Sequence, residues 1–149
     1  MNMVWARGEY QVSTDKERLD LEAIHRYLSQ EAYWSQGIPF EVVKRAAENS
    51  LAFGIYQGNN QVGYARIISD YATFAHLADV FVLPEHRGKG LGKWLMEVIV
   101  SHPDLQGLRR WMLATRDAHG LYTGYGFKPL ASPDRWMERH FPDVYNHKL

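Results

Sequence analysis

The sequence predicts an α/β (α+β) fold in which a mixed, mostly antiparallel sheet is flanked by helices. Two apolar runs are separated by Gly58-Asn59-Asn60, a turn signal that favours a β-hairpin. Elsewhere apolar residues recur at helical spacing, as at Leu21, Ile24 and Leu28. Strand pairs come first along the chain and strand–helix units follow, which favours a sheet with helices packed on it.

The predicted elements follow the order β-α-α-β-β-β-α-β-α-β, with one further short strand at the end. Gly58–Asn60 sets the hairpin, and Asp117 is expected to cap the last, short helix. In chain order the elements are a strand at 9–13, helices at 19–30 and about 40–49, strands at 51–56, 61–69 and 73–83, a helix from Gly90, a strand at 108–115, a helix from Asp117 through Tyr122, an extended segment at 127–130 and a strand at 136–139.

Composition excludes several classes of protein. The 149 residues fit one compact domain, 1–149. With 17 basic and 17 acidic residues the formal net charge is zero, which gives no reason to expect nucleic acid or an anionic membrane as partner. The start has no signal-peptide pattern, and no apolar window approaches the ~20 residues of a membrane span, so a cytoplasmic protein is expected.

Metal and thiol chemistry are not expected either. The chain has no cysteine, which excludes disulfides and thiolate ligands. Its seven histidines form no i, i+4 pair and no His-Glu-x-x-His pattern. The sequence therefore predicts no metal site.

The strongest local feature is a glycine-rich turn between a strand and a helix. The strand around Val80-Phe81-Val82 ends at Pro84, and Arg87-Gly88-Lys89-Gly90-Leu91-Gly92 leads into the helix. A helix N-terminus carries unpaired N–H groups and partial positive charge, and glycines let an anion approach the backbone. Arg87 and Lys89 add positive charge. The segment predicts a phosphate or pyrophosphate site; the alternative is a strand-to-helix turn with incidental glycines.

Two other anion-binding motifs fit this segment less well. A Walker A loop requires Ser or Thr after Gly-Lys, whereas Gly90 follows Gly88-Lys89 here. The dinucleotide fingerprint has the spacing Gly-x-Gly-x-x-Gly, whereas this segment has Gly-x-Gly-x-Gly.

The segment Arg87–Gly92 resembles the acyl-CoA pyrophosphate loop of the GNAT (GCN5-related N-acetyltransferase) superfamily, whose pattern is Gln/Arg-x-x-Gly-x-Gly/Ala. The preceding 82–86 segment is similar to that family's lead-in. Downstream, the 121–127 segment, Leu-Tyr-Thr-Gly-Tyr-Gly-Phe, resembles the family's Leu/Phe-Tyr-x-x-x-Gly-Phe pattern. The two matches occur in the family's order, and the element order from about Glu9 to Arg139 also resembles the GNAT fold.

The resemblance implies an N-acetyltransferase that moves an acetyl group from acetyl-CoA to a primary amine of an unidentified, small-molecule acceptor by direct attack in a ternary complex. It implies that the central strand parts from its neighbour and that CoA fills the gap. Main-chain groups of the central strand would bind the pantetheine arm, and those of the loop would bind the pyrophosphate. These donor-binding residues are Val80, Phe81 and Val82 in the strand, and Arg87, Gly88, Lys89, Gly90, Leu91 and Gly92 in the loop.

Tyr122 occupies the position of the family's usual general acid. A phenol with a reference pKa of ~10 holds its proton at neutral pH and can yield it to a departing thiolate. The alternative is that the ring of Tyr122 packs against the sheet. Tyr125, three residues later, is a less suitable substitute on the family pattern.

Asp79 is the first candidate for the general base, because it directly precedes the expected CoA-binding stretch. Strand alternation predicts Asp79 and Phe81 on one face of the sheet and Val80 and Val82 on the other. A carboxylate there could relay a proton through water, or it could serve only as a structural hydrogen-bond acceptor. Asp70 and His76 are further candidates, since the resemblance fixes no base.

The acceptor side is expected at the loop between the first two helices, which contains Tyr33 and Trp34. Aromatic side chains there could stack on a substrate or hold a cation over a ring, or could close the core beneath the loop. Thr115 lies where many family members have an asparagine that contacts CoA, so the sequence departs from the family pattern at this position. His119 could line the CoA channel.

Two other functions compete with an acetyltransferase. One is a CoA-binding sensor or regulatory module without catalysis. The other is a nucleic-acid-binding domain, against which the neutral net charge argues. A homodimer is a further expectation from the resemblance.

Overall fold

A six-stranded sheet forms the centre of the computed structural model, which describes residues 1–146. The strands lie side by side in chain order, and all neighbours are antiparallel except the last pair, which is parallel. This arrangement confirms the predicted fold class. The strands are β1 (Val4–Arg7), β2 (Tyr10–Ser13), β3 (Leu51–Gln57), β4 (Asn60–Ser69), β5 (Phe74–Val82) and β6 (Arg110–Met112), and the helices are α1 (Leu21–Gln30), α2 (Phe40–Glu48), α3 (Leu91–Ser101) and α4 (His119–Thr123).

Local chemistry accounts for the element boundaries. Asp20 precedes α1, and its carboxylate accepts the N–H of Ala23 at 3.0 Å, which satisfies one of the free donors at the helix start. Gly58 turns the β3–β4 hairpin with φ +60°, a left-handed conformation that glycine adopts without steric cost. The hairpin predicted from Gly58-Asn59-Asn60 is therefore confirmed.

The helices cover both faces of the sheet. On one face, α1 and α2 pack through Ile24, Leu28 and Val43 against Tyr64 and Phe81. On the other face the larger core includes apolar residues of α3 and α4. That second core includes Val12, Phe53, Ile55, Ile67, Leu77, Leu95, Met96, Ile99 and Tyr122. None of the helices in residues 1–146 is long and apolar enough to cross a membrane.

At the ends of the sheet one strand was missed and two predictions were wrong. The strand Val4–Arg7 was missed, because its four residues are mostly exposed and show little apolar patterning. The segments at 127–130 and 136–139 form no strand. Pro129 has no N–H to donate to a ladder, and Trp136 instead lies under the guanidinium of Arg110, whose Cζ is 4.7 Å from the ring centroid. The assignment of residues 1–149 to one domain stays a prediction.

Candidate active site

The parallel strands β5 and β6 separate after three residue pairs. Phe74, Ala75 and His76 pair with Arg110, Trp111 and Met112, and β6 then ends. The strand β5 continues to Val82, so within residues 1–146 its last six residues have no strand partner on the β6 side. The gap leads towards the glycine-rich turn, as the resemblance implies for an acyl-CoA site.

A β-bulge at Asp79 interrupts β5 beside this gap. Ala78 pairs with Arg66 and Phe81 with Tyr64, so two residues of β5 oppose one residue of β4. Asp79 has φ +56°, a left-handed conformation that aspartate tolerates better than most residues. The bulge leaves Asp79 and Phe81 on the side of α1 and α2, whereas Val80 and Val82 pack against the α3 core.

The carboxylate of Asp79 accepts hydrogen bonds at both oxygens. Nε1 of Trp34 donates to Oδ1 at 2.9 Å, and Nε of Arg66 donates to Oδ2 at 2.6 Å. The side chains of Arg66 and Asp79 are 18% and 12% exposed, so the ion pair is largely removed from water. Arg66 also donates through Nη1 to Ser50 Oγ at 3.3 Å. These bonds fix the orientation of the Asp79 carboxylate, and the positive charge of Arg66 balances its negative charge.

The glycine-rich turn is open to a ligand. Gly88 and Gly90 have φ +78° and +76°, and a Cβ built on either would meet nothing within 4 Å. Gly90 directly precedes α3, and no side chain of the described residues caps that helix. The first N–H groups of α3 are thus available to an anion, next to the positive end of the helix dipole.

The two cations of the turn are held by neighbours that sequence reasoning missed. Arg87 donates through Nε to the Val82 carbonyl at 2.9 Å and through Nη2 to Tyr27 Oη at 3.0 Å. The ring of Tyr27 stacks on Phe81 with centroids 4.0 Å apart. Lys89 Nζ lies 3.4 Å from the hydroxyl of Tyr10. Arg87 thus uses one of the two lone pairs of the Val82 carbonyl, and the second lone pair is left for a pantetheine arm.

Tyr122 lies in α4, next to the start of α3. A Cβ added at Gly92 would be 3.9 Å from Leu121 Cδ2, which shows how closely α4 approaches the turn. Tyr122 is 8% exposed, and its ring meets Phe127 edge to face at 6.0 Å. Burial raises the pKa of Tyr122, and the nearby phenol of Tyr33 raises it further. The phenol therefore carries its proton at neutral pH, the state that a general acid requires.

The turn before α4 differs from the predicted one. Ala118 precedes the helix, and Asp117 does not cap it. Instead Thr115 Oγ1 accepts the N–H of Ala118 at 3.1 Å, so the threonine closes the turn that Asp117 was expected to close. His119 lies with Thr115 and Tyr122 on the wall of a cavity of about 300 Å³ along β6. That cavity includes neither Asp79 nor the glycine-rich turn.

Tyr33 and Trp34 lie at the surface on the α1 side of the gap. They are 41% and 44% exposed, and their rings meet edge to face at 5.1 Å. The N–H of Arg116 donates to Tyr33 Oη at 2.9 Å, and Arg116 Cζ lies 3.8 Å from the centroid of the Tyr33 ring. The loop between α1 and α2 thus contacts the loop that follows β6. The contact with Arg116 was missed by sequence reasoning.

The remaining candidate bases differ in their surroundings. The carboxylate of Asp70 accepts the N–H groups of Ala72, Thr73 and Phe74 and the Thr73 hydroxyl, and these bonds lower its pKa. Asp70 therefore stabilises the turn between β4 and β5. Burial, and then the charge of Arg66, lower the pKa of His76, so its imidazole is neutral at neutral pH. Residues 1–146 contain no group of three or more His, Asp or Glu that could hold a metal ion.

Comparisons with known proteins agree with this geometry. The Acetyltransferase (GNAT) domain family matches residues 48–129, more than half of the chain. A solved GNAT-family protein of Xanthomonas campestris is 55% identical, covers 94% of this chain and 99% of its own, and superimposes with a TM-score of 0.91. The chain therefore belongs to the GNAT acetyltransferase family, whose general chemistry is acetyl transfer.

Two curated relatives extend the comparison. FG08082 of Gibberella zeae, which carries the name of an acetyltransferase, is 36% identical over 140 residues that cover 79% of this chain and 78% of the relative. Thialysine N-epsilon-acetyltransferase of Sus scrofa is 24% identical over 149 residues that cover 95% of this chain and 84% of the relative.

Proposed function

We propose that this protein transfers an acetyl group from acetyl-CoA to a primary amine of a small molecule, by direct attack in a ternary complex. The observation that carries the proposal is the gap between β5 and β6, which extends from His76 to the open N-terminus of α3. Asp79 lies on the bulged strand beside that gap, and Tyr122 lies on the helix next to the turn. The name of the porcine relative, which acts on the ε-amine of thialysine, supports an amine as acceptor.

The donor would lie along β5 with its pyrophosphate at the turn. The free N–H groups from Gly88 to Gly92 suit an anion, and Lys89 adds a positive charge. The N–H and carbonyl groups of Val80 and Phe81 would bind the pantetheine arm. The Val82 carbonyl would take part through the lone pair that Arg87 Nε leaves free.

The chemistry requires the amine to lose a proton and the thiolate to gain one. A free alkylamine has a pKa near ~10.4 and is mostly protonated at neutral pH. We assign Asp79 as the base, acting through water with lone pairs that Trp34 and Arg66 leave free. The amine nitrogen then bonds to the acetyl carbon, the carbon–sulfur bond breaks, and the Tyr122 phenol protonates the sulfur. The nitrogen must lose a second proton to become a neutral amide, and this proton passes through water to the Tyr122 phenolate, which restores the phenol.

An assay of thiol release from acetyl-CoA against a panel of amines tests this function, with mass spectrometry of the acetylated product. The alternative is a CoA-binding sensor, which would bind acetyl-CoA in calorimetry yet release no thiol with any amine. Absence of binding to acetyl-CoA would refute both functions. A small-molecule partner, a cytoplasmic location and a homodimer stay predictions.

Replacing Gly90 with valine should weaken acetyl-CoA binding by about tenfold or more. Valine would disturb the left-handed conformation and fill the open space at the turn, and a lost hydrogen bond to a charged group costs ~1.5–3 kcal/mol. Calorimetric titration with acetyl-CoA measures the effect. Gly58→Val is the matched control, because Gly58 has φ +60° and equally open surroundings in a hairpin. Both variants should lose ~1–2 kcal/mol of stability; equal acetyl-CoA affinity in the two would contradict the assigned pyrophosphate site.

A further inference from the structure

An arginine lies over Tyr33 on the proposed acceptor side, and within residues 1–146 its side-chain N–H groups make no hydrogen bond. The guanidinium of Arg116 stacks on the Tyr33 ring at 3.8 Å, and its own backbone N–H is bound to Tyr33 Oη. Stacking uses the flat face of a guanidinium and leaves the N–H donors along its edge available. The side chain is 66% exposed. Tyr33 thus fixes the position of the Arg116 guanidinium but does not use its hydrogen-bond donors.

The charges around Asp79 are already balanced, and the one carboxylate paired with Arg116 lies at the limit of an ion pair. Arg66 is paired with Asp79, and His76 is neutral at neutral pH because burial lowers its pKa. Asp117 Oδ2 lies 4.0 Å from Arg116 Nη2, beyond hydrogen-bond distance, and its side chain is 69% exposed. Such an exposed pair contributes little, so a bound anion can displace it.

Arg116 is also connected to the reacting groups. Tyr33 contacts Trp34, whose Nε1 donates to Asp79, and the phenol of Tyr33 is close enough to raise the pKa of Tyr122. Two ring contacts and one hydrogen bond therefore separate the guanidinium from the proposed base. An acceptor that reaches both must carry its amine several bonds away from the group that Arg116 binds.

We propose that the acceptor is a flexible amine bearing a terminal anionic group, a carboxylate or a phosphate, and that Arg116 binds this group. Planar bidentate hydrogen bonding makes arginine suited to both anions. The inference rests on the proposed function, and it adds a specificity residue outside the GNAT motifs.

Hexylamine, 6-aminohexanoate and 6-aminohexyl phosphate test the proposal, because they differ only in the terminal group. The wild-type kcat/KM should favour at least one anionic acceptor over hexylamine by about tenfold to a hundredfold. Arg116→Ala should remove this preference through KM, so that the preferred anionic acceptor loses about tenfold to a hundredfold more kcat/KM than hexylamine does, and Arg116→Lys should retain part of the preference. The compound that shows the larger Arg116-dependent effect tells whether the terminal group of the acceptor is a carboxylate or a phosphate.

Arg110→Ala is the matched control, because Arg110 also stacks on an exposed aromatic ring, Trp136, but lies at the other end of β6. It should leave the preference intact. Equal rates with all three amines, or an Arg116→Ala loss that is the same for hexylamine, would overturn the proposal.

Calorimetric binding of the same amines to the CoA-loaded protein separates this inference from the proposed function. Arg116-dependent binding of the anionic amines without turnover would support the anion site and count against the transferase. Turnover with no preference for the anionic amines, in either kinetics or binding, would support the transferase and count against the anion site.

Discussion

Replacing Tyr122 with phenylalanine should lower kcat by about 10²–10⁴-fold, with the dissociation constant of acetyl-CoA nearly unchanged. Phenylalanine keeps the edge-to-face contact with Phe127 and loses only the hydroxyl that is proposed to protonate the leaving thiolate. Steady-state kinetics with an amine accepted by the wild type, together with calorimetric titration of acetyl-CoA, measure the two effects separately.

Tyr125→Phe is the matched control for this substitution. Tyr125 is three residues away, and its hydroxyl donates to the Lys93 carbonyl at 2.9 Å. Losing that bond should cost about 0.5–1.5 kcal/mol of stability but little rate. An unchanged kcat in Tyr122→Phe would exclude the acid role and leave the ring with a packing role alone.

The pH profile gives a second measure of Tyr122. Its pKa is raised above the ordinary value of 10.0, chiefly by burial. A general acid works while it holds its proton, so Tyr122 should limit kcat only when the pH rises above that raised pKa. A fall in kcat between pH 7 and 9 would therefore come from another group.

The position of the turn that we propose to bind the donor could be predicted from the sequence because its signals are local. The turn from Arg87 to Gly92 combines a strand end, left-handed glycines and a helix start within a few residues, and each has a compositional signature. Tyr122 was placed by the same kind of short pattern. The β3–β4 hairpin follows from three consecutive turn residues.

The contacts that could not be predicted join residues far apart in sequence, at both the turn and the proposed acceptor side. Arg116 and Tyr33 are 83 positions apart, and Arg87 and Tyr27 are 60 apart. No periodicity or spacing in the chain encodes such pairs, since each depends on how α1 and the loop after it pack against distant loops. The bulge at Asp79 was missed for a related reason, because an aspartate within an apolar strand does not show that its backbone is left-handed.

Replacing Asp79 with asparagine should reduce both stability and kcat. The change leaves Arg66 without its counter-ion in a largely buried position, which costs ~3–5 kcal/mol when a partner of a buried pair is removed. Asparagine tolerates the left-handed backbone at this position, so the loss reports on the charge rather than on strain. Removal of a general base should also lower kcat by about 10²–10⁴-fold. Chemical denaturation and steady-state kinetics measure the two losses.

The double substitution Arg66→Gln with Asp79→Asn separates the two roles of this aspartate. Two neutral amides can bond to each other without burying a charge, so the free energy of unfolding should return close to the wild-type value. If Asp79 is the base, kcat should stay low in the double variant although the fold is restored. Recovery of kcat along with stability would instead make Asp79 a positioning residue.

That recovery would leave His76, on the same strand, as the next base to test. Its pKa is lowered from 6.5, so it would give a kcat that falls on the acid side of a midpoint below 6.5. His76→Gln would then abolish this acid limb, whereas a limb that persisted in His76→Gln would exclude the imidazole as well.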